Sequence, residues 1–145
     1  MTREDAIARV ARGAAYMDRT TPGWETAISL PEFDMSSPCR CVLGQVDGDF
    51  YAGCNKRGFE VAYSPALDAG ENAALVRLGF DLAPYDGYCN VDAYDGYCNV
   101  DVIHAHYRML QEAWADEVTK RLHARDAEWL KGLKASLAVE EAVTA

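Results

Sequence analysis

Four side chains of the sequence have the donor types that bind zinc: Cys39, Cys41, His104 and His106. Cysteine thiolates and histidine imidazoles are the usual ligands of structural zinc, so a zinc site is one hypothesis. Two features argue against it, because the recurring C-x₂-C spacing is missing and side chains two apart on a helix point about 200° apart. The favoured interpretation is that the cysteines are small buried residues at a helix start and that no cofactor is bound.

The same cysteines suggest a thiol nucleophile as a second hypothesis. Arg40 lies between them just before a predicted helix, and both features lower a thiol pKa. A histidine oriented by Asp34 or Asp101 would complete a Cys–His arrangement. The sequence contains no G-x-S-x-G, P-loop, G-x-G-x-x-G or H-E-x-x-H motif. We therefore expect a protein that is not an enzyme, with a metal-binding or thiol-active protein as the alternative.

Helices are the elements predicted to position these residues. Thr2 followed by Asp5 forms a capping-box pattern, and the helix that it begins ends near Thr20, before Pro22-Gly23. Ser37 and Pro38 predict the start of a second helix that runs through Cys54.

Glycines mark the next two predicted boundaries. Gly58 is predicted to end the second helix, and the alternation over residues 59–63 predicts one short strand after it. A third helix is predicted around residues 68–78, ending in the same way at Gly79.

A long C-terminal helix is predicted over residues 102–137, followed by a flexible tail at 138–145. Its apolar stripe includes Trp114, meets Asp126 and resumes at Trp129. Such a helix is about 54 Å long, so it must break near Arg125-Asp126 or project beyond the domain. A projecting apolar stripe needs a partner helix, which makes a homodimer through this end an option. We expect all three tryptophans in the core, although an exposed Trp129 would be an interface anchor.

An exact repeat separates the third helix from the last. Residues 85–92 recur unchanged as residues 94–101. Because a nine-residue shift would turn the rest of a helix or a strand to its opposite face, we expect a duplicated loop insert at 85–101.

The acidic charge of the chain is concentrated around this repeat. The formal net charge is −9, and residues 61–101 contain seven acidic residues but only one basic residue. An acidic chain repels phosphates, which argues against nucleic acid as a partner. This stretch is a candidate contact surface for a basic partner, although a solvated acidic loop is the favoured interpretation. The candidate partner-binding residues are Asp86, Asp92, Asp95 and Asp101, together with Trp129.

Two further motifs carry a family resemblance. Pro22-Gly23-Trp24 and the run Cys-Arg-Cys-Val-Leu-Gly-Gln at 39–45 resemble small uncharacterised proteins of actinobacteria and their bacteriophages. Those proteins share a Pro-Gly-Trp turn and a Cys-Val-Leu-Gly-Gln helix, and the resemblance covers about residues 10–81. It implies a small intracellular protein, phage-encoded in some cases, that binds a host protein. It implies no set of site residues.

Together these patterns predict the fold class and the setting. With 145 residues, half of them apolar, the chain suits one domain, which we place at residues 1–137. We expect a mainly α, single-domain helical bundle with a short β element and a long C-terminal helix. The sequence shows no signal peptide and no membrane span, and five cysteines without a signal peptide favour a cytoplasmic location. The function we expect is that of an accessory protein acting by protein–protein binding.

Overall fold

The computed structural model describes residues 1–59, 61, 73–80 and 100–144. Its helices are α1 (Arg3–Thr20), α2 (Val42–Asp47), α3 (Phe50–Lys56), α4 (Ala73–Leu78) and α5 (Val100–Thr144), with 3₁₀ turns at Trp24–Ala27 and Leu30–Glu32. The predicted helical class is therefore confirmed. The predicted β element is not seen: residues 59 and 61 belong to no strand. Residues 60, 62 and 63 of the predicted strand, and residues 85–99 of the repeat, lie outside the described residues.

Helix α1 begins and ends as the sequence predicts. The hydroxyl of Thr2 accepts a hydrogen bond from the Asp5 amide at 3.1 Å, and the Asp5 carboxylate accepts one from the Thr2 amide at 2.9 Å. At the other end the Thr21 amide donates to the carbonyl of Met17 at 2.8 Å, and Gly23 adopts φ 81°. Both ends are thus fixed by local sequence.

The single helix predicted from Pro38 to Gly58 is wrong, because the chain forms two helices there. Cys41, and not Ser37, caps α2, and its sulfur accepts a hydrogen bond from the amide of Gly44 at 3.3 Å. Gly48 then adopts φ 91°, a left-handed conformation that ends the helix.

Asp49 begins α3 directly after this break. Its carboxylate accepts hydrogen bonds from the amides of Tyr51 at 2.9 Å and Ala52 at 3.2 Å. The predicted end of α3 is confirmed, because Gly58 adopts φ 69° and the Phe59 amide donates to the carbonyl of Cys54 at 2.9 Å.

Helix α4 also ends at the predicted glycine. Gly79 adopts φ 67°, and the amide of Phe80 donates to the carbonyl of Leu75 at 3.0 Å. The predicted beginning of this helix, at residues 68–72, lies outside the described residues.

The core forms where α1, α4 and α5 pack together. A Cβ atom at Gly13 would lie 2.2 Å from the carbonyl oxygen of Leu78 and 2.8 Å from the Trp114 ring, so only glycine permits this approach. The indole of Trp114 donates a hydrogen bond to the carbonyl of Gly79 at 2.6 Å. Its ring stacks on Phe80 at 5.4 Å and meets the edge of Trp24 at 5.7 Å. The core predicted for Trp24 and Trp114 is confirmed.

Helix α5 is one continuous element of 45 residues, about 67 Å long at 1.5 Å per residue. It does not break at Arg125-Asp126. It includes Val100 and Asp101 from the second copy of the repeat, and it extends through residues 138–144, which were predicted to form a flexible tail. Of the two alternatives that the sequence left open, the helix takes the second and projects from the domain.

Candidate interaction surface

The distal part of α5, residues 123–144, lies on the surface of the molecule along its whole length. Every residue in this range is exposed, whereas Leu110, Trp114 and Val118 on the same helix are buried. The change occurs within two turns, at the half-buried residues Arg121 and Leu122. We call residues 123–144 the distal helix.

Four large apolar side chains of the distal helix share one face. Trp129, Leu130, Leu133 and Leu137 lie within an arc of about 100°, since successive residues of an α-helix are 100° apart. Their exposed fractions are 65%, 48%, 43% and 50%. We call these four residues the distal stripe. Exposed apolar side chains in a continuous patch are typical of protein interaction sites.

The base of the distal helix is held firmly by the domain. Arg121 donates hydrogen bonds to the carboxylates of Asp18 at 2.6 Å and Glu117 at 2.8 Å, and its guanidinium lies 5.4 Å from the centre of the Trp24 ring. Partial burial would lower the pKa of Arg121, but the hydrogen bonds that it donates to these carboxylates, together with their negative charges, outweigh that effect and raise the pKa. One turn further on, Arg125 lies 4.0 Å from Glu25. These contacts fix the direction in which the distal helix projects.

Charged residues of the distal helix are distributed unevenly along its axis. Lys131 and Lys134 lie in its middle, and Glu140 and Glu141 follow two turns later. In the part of the chain that the structure describes, none of these four side chains makes an ion pair. Their charges are thus available to a partner that lies along the helix.

Of the predicted partner-binding residues, the structure describes the backbone positions of two, Asp101 and Trp129. Asp86, Asp92 and Asp95 lie outside the described residues. Asp101 belongs to α5, but the placement of its side chain is not among the described features. The prediction that Trp129 lies in the core is wrong, because its side chain is 65% exposed. The alternative for Trp129, an exposed anchor of an interface, agrees with its position.

The predicted zinc ligands are not gathered into a site in the described part of the chain. No group of three or more histidine, cysteine, aspartate or glutamate residues there is arranged to hold a metal ion. Cys39 is exposed, while Cys41 is buried and its sulfur caps α2. His106 is half-buried on α5 with its ring 5.1 Å from that of Tyr107, and the side chain of His104 is not described.

The predicted lowering of a thiol pKa at this position is wrong for Cys41. Burial raises its pKa to about 11, and the hydrogen bond from the Gly44 amide offsets only part of that shift. Burial likewise raises the pKa of Cys54 to about 12, with the neighbouring Cys41 thiol adding to the shift. Both groups are therefore neutral thiols near pH 7 and poor nucleophiles.

A surface depression of about 390 Å³ lies beside α3. It is lined by Tyr51, Ala52, Cys54, Asn55, Phe59 and Val61. None of these lining residues has a charged side chain, and the polar groups among them are those of Tyr51 and Asn55.

Searches for relatives give no family assignment. The chain matches no protein-family model, no curated protein and no solved structure. In addition, no helix among the described residues is both long and apolar enough to cross a bilayer.

Two exposed apolar residues of the distal helix were not among the predicted contact residues. Val139 and Val143 are 63% and 80% exposed, and they continue the apolar character of the distal helix beyond Leu137. The signal was present, since residues 138–144 contain no proline or glycine and therefore continue a helical pattern.

Proposed function

We propose that the chain is a non-enzymatic accessory protein that acts by protein–protein binding, with the distal helix as its contact surface. The observation that carries the proposal is the distal stripe, which leaves four large apolar side chains on one face of a helix that no described element covers. An uncovered amphipathic helix is one of the recurring forms that proteins use to recognise one another.

The anchoring of the distal helix supports this proposal. Because Arg121 joins α5 to Asp18 and to the face of Trp24, the helix is presented in a fixed direction. A surface that is ordered before binding loses less conformational entropy when the complex forms. Trp129, the most exposed member of the distal stripe, has the side-chain type that is enriched in binding hot spots.

The setting we propose is the cytoplasm of a bacterium, with a host or cellular protein as partner. Cys39, Cys41 and Cys54 are free thiols, which agrees with a reducing compartment. The resemblance to small proteins of actinobacteria and their bacteriophages suggests the type of host.

Affinity capture from a bacterial lysate tests the proposal. The double variant Leu133→Asp/Leu137→Asp places two charges in the distal stripe, and it should lose a protein that the original chain captures. The control Ala135→Asp/Ala138→Asp adds the same charges to the opposite face of the helix, and it should retain that protein. Capture of no specific protein by the original chain, or equal capture by both variants, would contradict the proposal.

A further inference from the structure

Two acidic side chains lie on the same face of the distal helix as the distal stripe. At about 100° per residue, Asp126 and Glu140 both point within about 30° of the centre of the stripe, as Leu133 does. Asp126 precedes Leu133 by seven residues and Glu140 follows it by seven, a distance of about 10 Å along the axis in each direction. The distal stripe is therefore an apolar surface with a carboxylate at each end.

These two carboxylates have no basic neighbour on their own helix. No lysine or arginine is three or four residues from either of them, which is the spacing at which side chains of one helix pair. Neither makes an ion pair with any residue that the structure describes. Among the lysines and arginines of the distal helix, Arg125 and Lys134 come nearest to this face, and both point about 90° from its centre. The two negative charges are thus available to a molecule that covers the stripe.

We propose that the partner of the distal helix is a protein that presents an amphipathic helix with a lysine or an arginine at each end of its apolar stripe. The inference rests on the proposed function in taking the distal helix as the contact surface, and it adds the chemistry of the partner. Asp126, Leu133 and Glu140 recur every seven residues, the interval at which two helices stay in contact side by side. On a helical partner the two basic residues would be about 21 Å apart, so that each reaches one carboxylate.

A second copy of this chain does not supply that chemistry. A parallel pair sets Asp126 beside Asp126, and an antiparallel pair centred on Leu133 sets Asp126 beside Glu140. A shift by seven residues in either orientation places Leu133 against Glu140 instead. Opposed carboxylates repel each other, and a leucine that covers a carboxylate removes it from water without a compensating hydrogen bond. The charges of the distal stripe therefore favour a partner of opposite charge over a second copy.

A membrane surface is unsuited for a related reason. Helices that lie on anionic bilayers carry lysine and arginine around the apolar face. Here the residues at the ends of the apolar face are Asp126 and Glu140, which anionic head groups repel. The charge pattern thus favours a basic protein over a lipid surface.

Two synthetic peptides test the charge of the partner. Both form an amphipathic helix with the same leucine stripe, and they differ only in carrying either lysines or glutamates at its two ends, spaced as Asp126 and Glu140 are. Fluorescence anisotropy of each labelled peptide, titrated with the full chain, gives the two dissociation constants. We expect the constant of the lysine peptide to be about thirtyfold lower, because two attractive contacts replace two repulsive ones. Equal constants, or binding of neither peptide, would overturn the proposal.

Charge variants of the chain test whether these two carboxylates cause the preference. Asp126→Lys/Glu140→Lys should invert it, so that the glutamate peptide binds about thirtyfold more tightly. Glu140→Lys alone should raise the dissociation constant of the lysine peptide about fivefold. The matched control Glu128→Lys makes the same change of charge on the opposite face and should leave that constant within about twofold. Circular dichroism establishes that each variant stays helical. Equal effects of Glu140→Lys and Glu128→Lys would assign the preference to net charge and overturn the proposal.

Sedimentation experiments test the two other occupants. The full chain should remain monomeric at the micromolar concentrations at which the lysine peptide is titrated, and it should not sediment with phosphatidylglycerol vesicles. Dimerisation or vesicle binding that is lost in Leu133→Asp/Leu137→Asp would assign the distal stripe to that occupant and overturn the proposal.

Failure of this inference is distinguishable from failure of the proposed function. A chain that captures a lysate protein through the distal stripe but does not prefer the lysine peptide keeps the proposed function and overturns the basic character of the partner. A chain that prefers the lysine peptide but captures no lysate protein supports the charge complementarity and contradicts the proposed function.

Discussion

Two tryptophans on the same helix experience opposite environments. Trp114 is fully buried, hydrogen-bonded to Gly79 and packed against two aromatic rings, whereas Trp129 is 65% exposed. The two positions are 15 residues apart, or about four turns of α5. The difference arises because α1 and α4 cover the first position and no described element covers the second.

Two glycines show the same contrast between the core and the distal helix. Gly13 is where α1 approaches α4 and Trp114, and a Cβ atom there would meet backbone at 2.2 Å. A Cβ atom at Gly132 would have no neighbour within 4 Å. Packing therefore limits side-chain size at Gly13, whereas no described atom limits it at Gly132.

The largest expected difference is between the two tryptophans. Trp114→Ala should lower the free energy of unfolding by about 3–5 kcal/mol, because it removes a fully buried ring and leaves a cavity. Trp129→Ala should change it by no more than about 0.5 kcal/mol, because the ring is exposed in the monomer. Urea denaturation of dilute protein, followed by circular dichroism, measures both values. Equal losses of stability would show that Trp129 also contributes to a core, and would contradict the difference in environment between the two tryptophans.

A smaller difference is expected between the two glycines. Gly13→Ala should destabilise the protein by about 1–3 kcal/mol, since α1 and α4 must move apart to admit the methyl group.

The matching change at Gly132 should have the opposite sign. Gly132→Ala should stabilise the distal helix by about 1 kcal/mol, the difference in helix propensity between the two residues. Amide hydrogen exchange is the appropriate measurement, because the distal helix can open without unfolding the core. Protection should increase at residues 126–140 in this variant, and unchanged or faster exchange there would contradict an isolated, solvated helix.

Local signals in the sequence predict most of the helix boundaries. Thr2 with Asp5, Gly58 and Gly79 act through their immediate neighbours, so their roles follow from short motifs. The break between α2 and α3 was missed although Gly48 followed by Asp49 is a helix end next to a helix start. The apolar residues between 42 and 54 recur at helical spacing across this break, so their pattern predicts one continuous helix despite Gly48 and Asp49.

Burial was harder to predict than boundaries, because it depends on elements distant in sequence. The apolar pattern of α5 is similar before and after Arg125, so the pattern alone does not distinguish Trp114 from Trp129. The raised pKa of Cys41 was missed for the same reason. Its neighbours along the chain favour a thiolate, whereas burial against the rest of the core favours the neutral thiol.

The smallest expected effect is a pH dependence of the folding stability that arises at the turn containing Asp34. Partial burial would raise the pKa of Asp34, but hydrogen bonds from Ser36 and the charge of Arg40 outweigh it and lower that pKa below its usual value of 3.8. A carboxylate with a depressed pKa stabilises the folded state above about pH 4, and this contribution disappears as the pH falls through the folded-state pKa. Asp34→Asn should therefore cost about 0.5 kcal/mol at pH 6 and less at pH 3, since Arg40 is exposed and its charge is screened.

Urea denaturation at the two pH values separates this electrostatic contribution from a purely structural one. Ser36→Ala removes the hydroxyl that donates to Asp34 and serves as the matched variant, with a smaller loss that also shrinks at pH 3. If Asp34→Asn costs the same at both pH values, the carboxylate acts through its shape and not through its charge. A loss that diminishes on acidification would place a pH-dependent part of the stability in the domain.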